Sequence, residues 1–262
     1  MTIAAKDVMA LRQKTGLGMM DCKEALKAND GDMSAAEEWI RAKRKGKMDT
    51  RTERATGEGR IAIVLGDGQA AIVEVLTETD FTARNEEFIA MMQTVSQAAL
   101  GCPAGDITAT DEMTAAIDNI RVKTGENANF ARGEKLEGGN FGQYLHHDGK
   151  RGCLIQVEGD ADADTLKGIC QHITFYDPAA ITPDDVPQDK LEEIRAKAVE
   201  EAKDSGKPEE IAQKMSEGKV RKFLEENTLI KQKYVVDETK TIEEILPEGC
   251  TIAKFVRYTL GG

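Results

Sequence analysis

Site chemistry needs nucleophiles, metal ligands or charged pairs at workable spacing, and this sequence offers few of them. The cysteines, Cys22, Cys102, Cys153, Cys170 and Cys250, are odd in number and far apart. That pattern fits neither a disulfide framework nor the close pairs of a zinc or redox site, so they read as reduced, buried small hydrophobes. His146 and His147 are adjacent, but no cysteine or carboxylate at ligand spacing completes a metal site, and a turn histidine is the better reading. His172 reads as a helix-surface residue. Two stretches, Gly57-Glu58-Gly59-Arg60-Ile61-Ala62 and Gly66-Asp67-Gly68-Gln69-Ala70-Ala71, match the loose GxGxxA dinucleotide pattern. That pattern requires a strand before and a helix after; the first follows a charged linker and the second leads into another strand, so a nucleotide fold is rejected. With no nucleophile–base pair, P-loop or zinc signature, the residues imply no enzyme, no cofactor and no metal.

The remaining chemistry is that of contact. Met19 and Met20 are neighbours, about 100° apart on a helix, so both cannot lie at the centre of one narrow stripe and at least one faces outward. An outward methionine is an adaptable contact for a partner, although edge-of-core packing explains either one equally well. Asp80 has the residue type and place of a helix N-cap. Phe81 lies seven residues before Phe88 and eleven before Met92, so on spacing alone it joins the core stripe of the helix that follows.

The elements that must position these residues are legible from periodicity. Residues 1–46 predict three short helices, with apolar positions Val8 and Leu11, then Met19, Cys22 and Leu26, then Met33, Ala36 and Ile40, punctuated by Gly16, Gly18, Asn29 and Gly31. From Arg41 to Arg54 seven basic residues (Arg41, Lys43, Arg44, Lys45, Lys47, Arg51, Arg54) meet two acids, which reads as a solvated helix end and linker. The runs Ile61–Leu65 and Ala71–Leu76 flank Gly66-Asp67-Gly68 as a hairpin. Phe88, Met92, Val95 and Ala99 predict an amphipathic helix over 83–100. A weaker copy of this strand-strand-helix unit follows in Tyr144-Leu145-His146, Cys153–Val157 and a helix carrying Leu166, Ile169 and Ile173. Residues 189–226 turn charged and helical, broken at Ser205-Gly206-Lys207-Pro208, and predict a helical hairpin with a seam of Leu191, Ile194 and Ala198 against Ile211, Met215 and Phe223. Thr251–Leu260 reads as a returning strand.

The class is therefore α+β: an N-terminal module and linker (1–54), a core subdomain (55–140), a second related subdomain (141–188 with 227–262) and an inserted helical hairpin (189–226). The chain has 262 residues and a formal net charge of −12, which argues against affinity for nucleic-acid backbones and for protein partners. The N-terminus lacks a signal-peptide apolar region and no stretch approaches 18 apolar residues, so a cytoplasmic protein without membrane association is expected.

Leu11-Arg12-Gln13-Lys14-Thr15-Gly16-Leu17-Gly18-Met19-Met20-Asp21-Cys22-Lys23-Glu24-Ala25-Leu26 closely resembles the N-terminal signature of the elongation factor Ts family. A second family signature stands in Glu78-Thr79-Asp80-Phe81-Thr82-Ala83-Arg84-Asn85-Glu86-Glu87-Phe88, directly after the hairpin. Further similarity lies in Gly125-Glu126-Asn127, Tyr144-Leu145-His146, Ser205-Gly206-Lys207-Pro208 and Tyr234-Val235-Val236-Asp237. It spans essentially the whole chain.

The resemblance implies a guanine-nucleotide exchange factor for elongation factor Tu, in both its GDP-bound and nucleotide-free states. It implies a ubiquitin-associated-type three-helix bundle at the N-terminus, whose Arg12, Met19 and Met20 meet a helix of the GTPase domain. Asp80 and Phe81 would enter near the nucleotide's magnesium, with Thr79 and Gly125 in the same interface. His146, placed after Tyr144 and Leu145, would support from the second subdomain, with His147 as the alternative, and Val235 and Val236 would add contacts. The implied role reverses the core reading of Phe81. The hairpin resembles the family's projecting coiled coil, with the GTPase or a second copy of the chain (a homodimer) as its occupant. A passive interaction or chaperone-like scaffold is the competing class.

Overall fold

The computed structural model describes residues 3–49 and 53–262. Its elements run α1 (Ala5–Thr15), α2 (Met19–Ala28), α3 (Met33–Asp49), β1 (Glu58–Gly66), β2 (Gln69–Thr77), α4 (Asp80–Arg84), α5 (Glu86–Ala99), β3 (Gly105–Asp106), α6 (Asp111–Thr124), β4 (Ala128–Glu137), β5 (Asn140–Leu145) and β6 (Arg151–Glu158). They continue as α7 (Ala163–Tyr176), α8 (Gln188–Asp204), α9 (Glu209–Asn227), β7 (Lys233–Tyr234), β8 (Asp237–Thr241), α10 (Ile242–Ile245) and β9 (Thr251–Thr259). The mixture of helices with antiparallel strand pairs is the α+β class read from the sequence. By internal contacts the chain divides into two compact units, Met1–Val64 with Ala71–Lys135 and Thr259–Gly262, and Leu65–Ala70 with Leu136–Tyr258.

In the first unit α1, α2 and α3 close on Val8, Leu11, Leu17, Cys22, Ala25, Leu26, Ala36 and Ile40. This core is small, and neither Met19 nor Met20 belongs to it. Gly16 ends α1 in the left-handed conformation with its N–H on the Arg12 carbonyl, the C-cap that a glycine adopts without strain. Of the basic run, the side chains of Arg41, Arg44, Lys45, Lys47 and Arg51 lie outside the described residues; Lys43 pairs with Glu24 at 2.5 Å and covers the Trp39 ring. A sheet in the order β1-β2-β4-β3 lies with α5 and α6 around a core that includes Val73, Val75, Phe88, Met92, Val95, Met113 and Ile117. The helix predicted over 83–100 is in fact two, broken at Asn85, whose extended backbone (ψ 137°) stops α4 and whose Oδ1 accepts the Glu87 N–H at 2.8 Å to start α5.

In the second unit the sheet order is β5-β6-β9, and one face meets α7 through Cys153, Ile155, Val157, Leu166, Ile169 and Ile173. Gly142 on β5 allows the close approach, since a Cβ there would stand 2.6 Å from Leu166 Cβ. Helices α8 and α9 pack on each other across the Ser205–Pro208 break. Their seam keeps the predicted Leu191, Ile194, Ala198 and Phe223 and departs from the prediction at Ile211 and Met215. Leu191, Ala198 and Ala202 face Ala212, Ser216 and Val220, while Ile211 is exposed. Small residues at four-residue spacing let the helices approach closely, and that advantage outweighs the larger side chains one position away.

Candidate functional site

The corner after β2 is built by hydrogen bonds around one short helix. Thr79, in extended conformation (φ −129°, ψ 155°), is the N-cap of α4, its Oγ1 accepting the Thr82 N–H at 3.3 Å; the expectation of Asp80 as cap is corrected. The cap moves one residue because Asp80 is already helical and its carboxylate turns to Arg84 at 3.2 Å. Phe81 is 84% exposed. Its ring and the part-exposed Asp80 carboxylate are thus carried on consecutive residues at the start of a helix whose Thr82 and Ala83 face inward.

Behind this helix stands the turn that follows α6. Gly125 takes the left-handed conformation (φ 75°) and caps α6 by donating its N–H to the Arg121 carbonyl. The next residue, Glu126, receives the Thr79 hydroxyl at 2.9 Å on Oε1 and the Thr79 N–H at 3.2 Å on Oε2. Glu78 reciprocates by accepting the Asn127 N–H at 2.6 Å, and buried Thr77 donates its hydroxyl to the Asn127 carbonyl at 3.1 Å. Arg54 pairs with Glu78 at 3.3 Å, and its carbonyl accepts from the Asn127 side chain at 2.9 Å. The structure thus brings Thr79, Asp80, Phe81 and Gly125 into one cluster. Thr79 faces inward, its hydroxyl already committed as donor and acceptor.

Arg12, Met19 and Met20 are all exposed, so both methionines stand outward; Met20 shows 76% of its surface. Met9, three residues before Arg12 and hence on the same face of α1, is also exposed. Sequence reading passed over Met9, although its spacing from Arg12 was the available signal.

In the second unit His146 is half-buried. Its Nδ1 lies 2.9 Å from the Tyr144 hydroxyl and its Nε2 3.8 Å from Asp148, and the exposed His147 ring lies beside it at 4.2 Å. Burial works against the charge of Asp148, but the Lys150 N–H, His146 and Arg151 hold its carboxyl below the usual range. Val235 and Val236 form the two-residue tip between β7 and β8, with Val236 68% exposed.

This tip is seated on α7 by residues that the sequence did not single out. Gly168 makes room for Tyr234, since a Cβ there would meet the Tyr234 hydroxyl at 1.9 Å. One turn later His172 is fully buried, which corrects the surface reading. Its Nδ1 accepts the Val235 N–H at 3.2 Å, so its proton sits on Nε2 and is donated to Gln232 Oε1 at 2.9 Å. Burial pushes the imidazole below its ordinary value, against the opposing effect of Gln232. The signal was present: position 172 is three after Ile169, on the apolar stripe of the same helix.

Among the described residues no three His, Cys, Asp or Glu side chains group as a metal site, and no helix is long and apolar enough to cross a membrane. The arrangement offers apolar and charged side chains held outward by rigid hydrogen-bonded corners, which suits docking on another macromolecule.

Known proteins resemble this chain along its length. The family described as elongation factor TS matches residues 78–262. An elongation factor Ts of Shewanella sediminis is 38% identical over 266 residues, spanning 100% of this chain and 92% of that protein. One from Colwellia psychrerythraea is 39% identical over 268 residues, with 100% and 92% covered. One from a Hydrogenobaculum species is 36% identical over 274 residues, with 100% of both covered. On these matches the chain belongs to the elongation factor Ts family and is an elongation factor of protein biosynthesis.

Proposed function

We propose that the chain is a guanine-nucleotide exchange factor that promotes GDP release from elongation factor Tu during translation elongation, with Asp80 and Phe81 entering near the partner's nucleotide-bound magnesium. The observation that carries this reading is Phe81, an aromatic ring 84% exposed on a five-residue helix. Such a ring gains little in water and much when a partner covers it. Bound GDP is held partly by magnesium bridging phosphate to protein, so a ring and a carboxylate that displace the metal's supporting groups loosen the nucleotide without competing for its pocket. Linkage then makes the effect reciprocal: the factor by which this chain weakens GDP is the factor by which GDP weakens this chain.

The other parts take supporting roles. Residues 1–54 act as a ubiquitin-associated-type module with a basic linker, docking through Arg12, Met19 and Met20; its small core suits a docking part better than a reacting one. Residues 55–140 form the subdomain that carries the wedge, where Thr79 and Gly125 belong to the interface. Residues 141–188 and 227–262 form the second subdomain and present His146, Val235 and Val236. Residues 189–226 project as a coiled-coil hairpin that meets the GTPase or a second copy of the chain. The net charge of −12 supports protein partners over nucleic acid or anionic membrane, in a cytoplasmic setting. Exchange changes no covalent bond, so the chain is no enzyme in the usual sense.

The test is to mix the full chain with elongation factor Tu loaded with fluorescent GDP and follow release in excess unlabelled GDP. The expected result is release accelerated in proportion to the amount of chain added. A passive scaffold would leave release at its intrinsic rate.

A further inference from the structure

We infer that Glu126 is a positioning residue for exchange: by gripping Thr79 its carboxylate sets the direction in which α4 presents Asp80 and Phe81. This rests on the exchange reading above and adds a residue to it. A helix of five residues makes little more than one turn and cannot fix its own orientation, so its flanks must do so. Its C-terminal flank is Asn85, which hands the chain to α5. Its N-terminal flank is Thr79, and there one carboxylate receives both the hydroxyl, at 2.9 Å, and the backbone N–H, at 3.2 Å. Two bonds from one residue to one planar group define an angle as well as a place, and a charged acceptor makes them stronger than neutral ones. The Thr79 hydroxyl then passes the constraint into the helix by accepting the Thr82 N–H.

Glu126 is itself held firmly. Its N–H donates to Thr124 Oγ1 at 3.2 Å, it follows the left-handed cap at Gly125, and Asn127 beyond it is buried and bonded to Glu78 and to the Arg54 carbonyl. Residues 77–79 and 126–127 thus exchange side-chain-to-backbone bonds in both directions. Both Glu126 oxygens already accept inside the chain, Oε2 lying also 3.4 Å from the Thr77 hydroxyl, so the residue acts through Thr79 and not as a contact of its own.

A double-mutant cycle tests this in the full chain, with release of fluorescent GDP from elongation factor Tu as the readout. Glu126→Ala, Phe81→Ala and the double variant are measured per folded molecule. Glu126→Ala is expected to lower the maximal release rate about tenfold, the scale of losing charged hydrogen bonds. The concentration needed for half-maximal rate should stay put. In the double variant the second change should add little, because an unaimed ring is already lost. Glu126→Gln keeps one acceptor for Thr79 and should recover part of the rate; it also serves should the alanine variant fold poorly. Equal rates for Glu126→Ala and the parent, or effects that multiply in the double variant, overturn the positioning role while leaving the wedge intact. A normal rate for Phe81→Ala overturns the wedge and this inference together.

Discussion

Phe81 and Phe88 stand seven residues apart on consecutive helices, yet one ring is 84% exposed and the other fully buried. On one continuous helix seven residues advance close to two whole turns, so both rings would share a face and the exposed one would join the core. Asn85 prevents this. Its extended backbone uncouples the rotation of α4 from that of α5, so that α5 buries Phe88, Met92 and Val95 while α4 presents Phe81. A single capping residue, and not the chemistry or spacing of the rings, separates the phenylalanine that holds the fold from the one left in solvent.

The largest effect belongs to the buried ring. Phe88→Ala should cost about 3–5 kcal/mol in urea unfolding through the cavity it leaves. Its exchange per folded molecule should remain near normal, and a loss of exchange without loss of stability would erase the contrast. Next comes Gly168→Ala in the second unit, where the added methyl must displace Tyr234. Overpacking of this kind costs about 1–3 kcal/mol. It should also shift the Val235–Val236 tip and weaken binding to nucleotide-free elongation factor Tu, read by titration. Unchanged stability would show that the tip is not seated there.

Much of this architecture was legible in the sequence. The three N-terminal helices, the hairpin around Asp67, the α5 stripe and the Ser205–Pro208 break all announce themselves through periodicity and turn residues, which are local signals. What was not legible depended on pairings far apart in the chain. The grip of Glu126 on Thr79 spans 47 residues, and that of His172 on Val235 spans 63. No period connects such positions. The α9 seam was misread for another reason, since apolar size favoured Ile211 and Met215 while close helix approach favours Ala212 and Ser216.

Two smaller effects sharpen the comparison. Burial lowers the pKa of His172 in the folded chain beneath the usual 6.5 or so, so the unfolded state binds the proton more readily. The stability it contributes is present above that unfolded value and is lost as pH falls through the folded one, by at most about 1.4 kcal/mol per pH unit. Urea midpoints at pH 7.5 and 5.5 should therefore differ more for the parent than for His172→Asn, and equal differences would refute the buried neutral imidazole. Asn85→Ala removes the cap that separates the two phenylalanines, at a cost of about 1 kcal/mol. If the break sets the contrast, this variant should also slow exchange by letting α4 turn toward the face of α5; normal exchange would show that α4 keeps its direction without the cap.

The smallest effect on stability is the one that decides the most. Phe81→Ala, measured by thermal melting and by GDP release from elongation factor Tu on the same preparation, should leave stability within about 0.5 kcal/mol of the parent, as for an exposed side chain, while slowing exchange substantially. A large drop in stability with near-normal exchange per folded molecule would contradict the account.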